Sequence, residues 1–206
     1  MTLKEITQCM QAYANLRNTA KTQEMQNLYN QGNAFPYIRD NNNQPVAGGN
    51  KAYVNAYPGI KTDGSLVFFV ISAYKDVSSN PSILNDIQII PIQNLTPSAT
   101  GSTGNISPQE ANIRIANWAS QRNPWIQENI ETIFQCYSIP QEDSSSGTTH
   151  NAFLALNQNS AAQGGYIADA IVEDVENSIF VFYDTTNPVP PYPPGAGTFY
   201  LLSLVS

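Results

Sequence analysis

The chain has 206 residues, of which 41% are apolar and 10% aromatic but only 12% charged, and its formal net charge is −7. The apolar content excludes a globally disordered chain, and the length predicts a single domain over residues 1–206. Nine Lys and Arg residues, scattered singly in an acidic background, exclude the clustered cations that nucleic acid or an anionic lipid surface requires.

Residues 1–30 lack the apolar core of a secretory signal, and no run approaches the length of a membrane span. This places the chain in the cytoplasm, or exports it without a cleaved signal peptide. The same segment predicts the first helix. Thr2 is an N-cap with Glu5 at capping-box spacing, and Ile6, Met10, Tyr13 and Leu16 follow at helical intervals. Lys21-Thr22-Gln23 divides that helix, and Gly32 ends it.

Residues 33–50 read as loop. A hairpin follows, with strands over 51–60 and 65–74 joined through Thr62-Asp63-Gly64. Its second strand, Leu66-Val67-Phe68-Phe69-Val70-Ile71, does not alternate, so both of its faces need cover. Residues 87–92 form another strand, with Pro91 confining its end to an edge.

Residues 94–106 are rich in Thr, Ser and Gly and read as loop. Ser107-Pro108-Gln109-Glu110 then opens a helix and Asn123-Pro124 a second one, giving a central helical pair. Strands are expected over 152–156, 166–173, 178–184 and 198–205, with the polyproline-like segment 187–195 before the last. The predicted fold is therefore α+β: a mostly antiparallel sheet with an N-terminal helix and a central helical pair packed on it. Several strands are apolar on both faces while only about three helices are available. The sheet must fold on itself or be covered by a partner.

Cys9 and Cys136 are too few and too far apart for a disulfide framework or zinc site. Both are expected as buried thiols in helices. No dinucleotide, Walker or calcium-loop pattern occurs, so neither cofactor nor metal is expected.

His150, the only histidine, follows a Ser-rich stretch and stands near Glu142 and Asp143. The sharp reading is a hydrolase triad; the simpler one, which we favour, is a solvated loop histidine. Asp169, Glu173, Asp174 and Glu176 form an acidic cluster. On a strand Asp169 and Glu173 share a face, as paired acid and base carboxylates would, but a charged strand end entering a turn explains them as well. Pro190, Pro191, Tyr192, Pro193 and Pro194 make a rigid candidate docking element, or a stiff crossover between strands.

Asn and Gln outnumber Asp and Glu by more than two to one, so the polar surface is built largely from neutral groups that repel another copy weakly. The leading expectation is a noncatalytic structural or protein-interaction protein that self-assembles into a particle, filament or apparatus, binding itself or another protein. The alternatives are a small hydrolase acting on sugar or ester bonds through the acidic cluster or His150, and a carbohydrate or peptide binding module using Trp118, Trp125 and the tyrosines.

Overall fold

The computed structural model describes residues 1–40, 52–141, 149–176, 179–184, 187–189 and 199–205. In chain order its elements are α1 (Leu3–Asn18), α2 (Thr22–Tyr29), β1 (Ala34–Ile38), β2 (Tyr53–Ile60), β3 (Leu66–Ser72), α3 (Ile83–Asp86), β4 (Gln88–Pro91), β5 (Ser102–Thr103) and α4 (Pro108–Asn129). There follow β6 (Cys136–Pro140), β7 (Thr149–Gln158), β8 (Tyr166–Glu176), β9 (Ile179–Tyr183), β10 (Asn187–Val189) and α5 (Tyr200–Ser203).

The chain is an α+β mix, and its strands form two sheets. Sheet I has the order β1-β7-β8-β9-β5 and sheet II the order β10-β6-β2-β3-β4. Every pairing is antiparallel except β5 with β9.

The two sheets solve the cover problem for each other. Alternate residues of β7 and β8 (Ala152, Leu154, Leu156; Ala168, Ala170, Val172) share one buried cluster with Val54, Ala56, Phe68, Val70 and Ile139 of sheet II. The opposite face of sheet II carries Tyr57, Val67, Phe69 and Ile71, and it packs against Ile6, Cys9 and Met10 of α1 and Leu201 and Leu202 of α5. The opposite face of sheet I carries Phe153, Ala155, Ile171 and Phe182 beneath Ala111 and Ile115 of α4. The result is helix, sheet, sheet, helix. All seven residues of β3 are buried, so its unbroken apolar run is a central strand between two covered faces.

Local chemistry sets the element boundaries. Glu5 N–H donates to Thr2 Oγ1 and Thr2 N–H donates back to Glu5 Oε2 (2.7 Å), completing the capping box. Gly64, at φ +83°, turns the β2–β3 hairpin.

Four expectations are corrected. The central helical pair is one continuous helix, with Pro124 inside α4. Residues 34–38, within the expected loop, form β1. Its Pro36 is tolerated because the missing N–H would point away from β7. Cys136 lies in a strand, and residues 200–203 form a helix where a strand was expected. The apolar residues of that last segment, Leu201 and Leu202, seal the outer face of sheet II.

The two edges of sheet I differ. At the β1 edge, Ala34 and Gln93 exchange backbone hydrogen bonds in both directions (3.0 and 2.8 Å). Pro36 offers no donor. Gln88 covers Ile38, accepting from its N–H (2.9 Å) and donating to its carbonyl (2.6 Å). No outward-facing N–H of β1 remains available. The opposite edge ends in β5, only two residues long and exposed. A Cβ at Gly101 would sit 2.4 Å from Phe180 O, and one at Gly104 2.5 Å from Phe182 O, so only glycine lets this segment lie against β9.

Candidate functional site

The sequence candidates on β7 and β8 fall on opposite faces of sheet I. His150 shares its parity with Ala152 and Leu154, and Asp174 with Val172, so both point into the core between the sheets. His150 Nδ1 stands 2.7 Å from Asp174 Oδ1, and both side chains are 0% exposed. The Tyr37 ring lies against the imidazole, 5.3 Å between centroids. The expected solvated loop histidine is thus a fully buried strand residue, paired across the β7–β8 ladder with a carboxylate. That register was invisible in the sequence.

Asp169 and Glu173 do share a face, as expected on a strand, and it is the α4 face. They stand four residues apart on β8, about 13 Å along the strand. Glycosidase carboxyl pairs lie within about 10 Å of each other, so this spacing is too long. Each carboxylate has its own partners. Glu173 accepts from Ser98 N–H (2.6 Å) and from Asn151 Nδ2 (3.1 Å), fastening the 94–106 segment to the sheet. Asp169 Oδ1 accepts from Ala170 N–H (2.8 Å), and its Oδ2 accepts from Arg114 Nη1 (3.2 Å). Five residues and a change of face separate Asp169 from Asp174, so His150 and Asp169 share no cleft.

The close carboxylate pair includes a residue that the sequence reading missed. Arg114 of α4 donates through Nη1 to both Asp169 and Asp184, and through Nε to Glu110 (2.8 Å). Burial, then the hydrogen bond and charge of Asp184, push the Asp169 carboxyl up to about 8. One guanidinium facing three carboxylates cannot neutralise them all, so a proton is retained. The i,i+4 spacing of Glu110 and Arg114 was a readable signal for the ion pair on α4; nothing in the sequence linked it to positions 169 and 184. The cluster clamps α4 to sheet I.

Asp76 is a second missed carboxyl. It accepts from Asn55 Nδ2 (3.0 Å), from Tyr57 OH and from Leu201 N–H (3.0 Å), and its backbone carbonyl accepts from Tyr200 N–H (3.3 Å). Burial raises this carboxyl above its ordinary range, against those hydrogen bonds. Its work is to anchor α5 on sheet II.

Trp118 and Trp125 are buried in the intersheet core, as are Tyr13, Tyr29 and Tyr137, and Tyr57 is buried on the opposite face of sheet II. Cys9 and Cys136 are buried free thiols, and burial pushes both thiols up, away from nucleophilic use. Residues Pro190, Pro191, Tyr192, Pro193 and Pro194 lie outside the described residues, as do the acids and serines preceding Thr149. Among the described residues no group of His, Cys, Asp and Glu is arranged to hold a metal ion, and no helix is long and apolar enough to cross a membrane.

What remains accessible at the β5 edge is apolar and neutral. Ile113, Ile179 and Phe180 are 47%, 49% and 39% exposed. Ile113 and Gly101 line one groove of about 850 Å³ between α4 and the segment before β5, and Gly101 lies on the backbone of Phe180. Residues 99–109 carry no charge. No protein-family model matches the chain, and neither a curated protein nor a solved structure matches it.

Proposed function

We propose that the protein works by noncatalytic self-association, through the β5–β9 edge of sheet I. The observation that carries this reading is the contrast between the two edges of that sheet. Exposed edges template pairing with another chain, and proteins that must stay apart blunt them. The β1 edge is blunted by Gln93, Pro36 and Gln88. Apart from the shortness of β5, the β5 edge has none of these devices among the described residues; it presents Phe180, Ile179 and Ile113 beside an uncharged segment.

A second copy is the favoured occupant because the surface is built from amides and hydroxyls, which repel a like surface weakly. Two edges brought together about a two-fold axis also bury matching apolar residues. The need to cover a bare sheet face no longer supports association, since the two sheets and the helices cover one another. Among the described residues the groups of the hydrolase reading lie apart, His150 and Asp174 on one face of sheet I and Asp169 and Glu173 on the other, which gives that reading no support. The binding-module reading needs a surface row of rings, and the tryptophans are in the core.

The test compares Phe180→Asp and Ile113→Asp with Ile38→Asp, a control at the closed β1 edge, by sedimentation velocity. The reading expects the first two to dissociate the assembly and the control to leave it intact. Equal behaviour of all three variants would remove the β5 edge from the account.

A further inference from the structure

We infer that the protein binds a small, neutral, ring-containing molecule carrying a hydrogen-bond donor, in a pocket at one end of the sandwich. This site is independent of the β5 edge. Its walls come from three layers: Trp125 at the end of α4, Phe134, Tyr166 and Ile167 at the start of β8, and Pro188 of β10. The volume is about 250 Å³, below that of drug-sized sites and suited to one ring or a fused pair.

The pocket is preformed. Trp125 Nε1 donates to Tyr166 O (3.1 Å), Asn129 Nδ2 donates to Gln163 O (3.2 Å), and Gln163 Nε2 donates to Glu128 O. These bonds stitch the end of α4 to the turn that opens β8. The turn has Gly164 and Gly165 at φ +73° and +72°, a backbone that side-chain-bearing residues rarely adopt. A ligand therefore meets fixed walls and orders little on entry.

The donor inventory sets the ligand's chemistry. Trp125 has spent its only donor on Tyr166 O. The Asn129 amide nitrogen is spent on Trp125 O (2.9 Å) and Gln163 O, and the Thr132 hydroxyl donates to Asn129 O (3.0 Å). What these side chains still offer is acceptors: Asn129 Oδ1 and the lone pairs of Thr132 Oγ1. Among the described residues no lining residue is charged. A carboxylate or phosphate would enter without a counter-charge and with only the Tyr166 hydroxyl as a side-chain donor among the described lining residues, whereas an aromatic N–H or O–H would find a π surface and several acceptors. Ile167, 42% exposed at the rim, is apolar surface that such a ligand would cover.

The test is calorimetric titration of the full chain with indole, phenol, toluene and benzoate. Indole and phenol should bind saturably, and benzoate at least tenfold more weakly than phenol. Ala162→Trp fills the pocket from its partly exposed loop and should weaken indole at least tenfold. Ile167→Glu, a change at an exposed rim position, should do the same if the first variant misfolds. Thr132→Val should weaken phenol several-fold and leave toluene unchanged. Absence of saturable indole and phenol binding would overturn the inference. So would benzoate binding as well as phenol, or unchanged indole affinity in a folded pocket variant.

Discussion

Asp169→Asn isolates the cost of keeping a carboxyl between α4 and sheet I. In the folded protein this group is held at about 8 by burial and by Asp184, whereas an unfolded chain releases the proton near about 3.9. Between those values the folded state binds a proton that the unfolded state does not, so stability falls as pH rises through the window. The slope approaches about 1.4 kcal/mol per pH unit. From pH 5 to pH 7 the loss is about 2.5 kcal/mol, or about 1 M in urea midpoint for a slope of about 2 kcal/mol per M. Asparagine has nothing to ionise and still presents an N–H toward Asp184, so its stability lacks this component. Urea unfolding at pH 5, 6 and 7 should show Asp169→Asn gaining on the wild type by about 2.5 kcal/mol across the series, whatever their order at pH 5. Parallel curves for the two proteins would refute the retained proton.

The buried carboxyls elsewhere give sharper losses. Asp76→Ala leaves Asn55, Tyr57 and the Leu201 N–H without their acceptor and should cost about 3–5 kcal/mol in urea unfolding, with faster amide exchange at Leu201 and Leu202. Unchanged exchange there would mean that α5 is held by its leucines alone. His150→Ala removes the imidazole partner of a fully buried carboxylate and should cost about 3 kcal/mol or more; a neutral effect would show that the pair is dispensable. Gly101→Ala places a methyl group 2.4 Å from Phe180 O, so β5 should detach from β9 and amide exchange rise at residues 102–103. Retained protection there would show that the close approach is not needed.

Much of the local structure was legible in the residues themselves. The capping box at Thr2 and Glu5, the Ser107-Pro108 helix start, the Gly64 hairpin and the two-sided run from Leu66 all act over a few residues, and the fold obeys each. What depends on distant partners was not legible. The β1 strand is made by β7 and Gln93, more than 50 residues away, and its Pro36 reads as loop until the edge is known. The run 200–203 is apolar enough for a strand but becomes a helix, because Asp76 caps it against sheet II. The candidate site failed for the same reason. Sequence crowding around His150 suggested solvent, whereas the β7–β8 register buries it on Asp174, and Arg114 meets Asp184 only after three strands are assembled.

Self-association through the β5 edge is tested most directly by the absolute mass in solution, measured by light scattering over a hundredfold range of concentration. The account predicts a mass that rises well above the 22.5 kDa of one chain for the wild type and stays at one chain for Phe180→Asp. A wild type that remains at 22.5 kDa throughout would contradict it, and so would a Phe180→Asp variant that assembles as the wild type does.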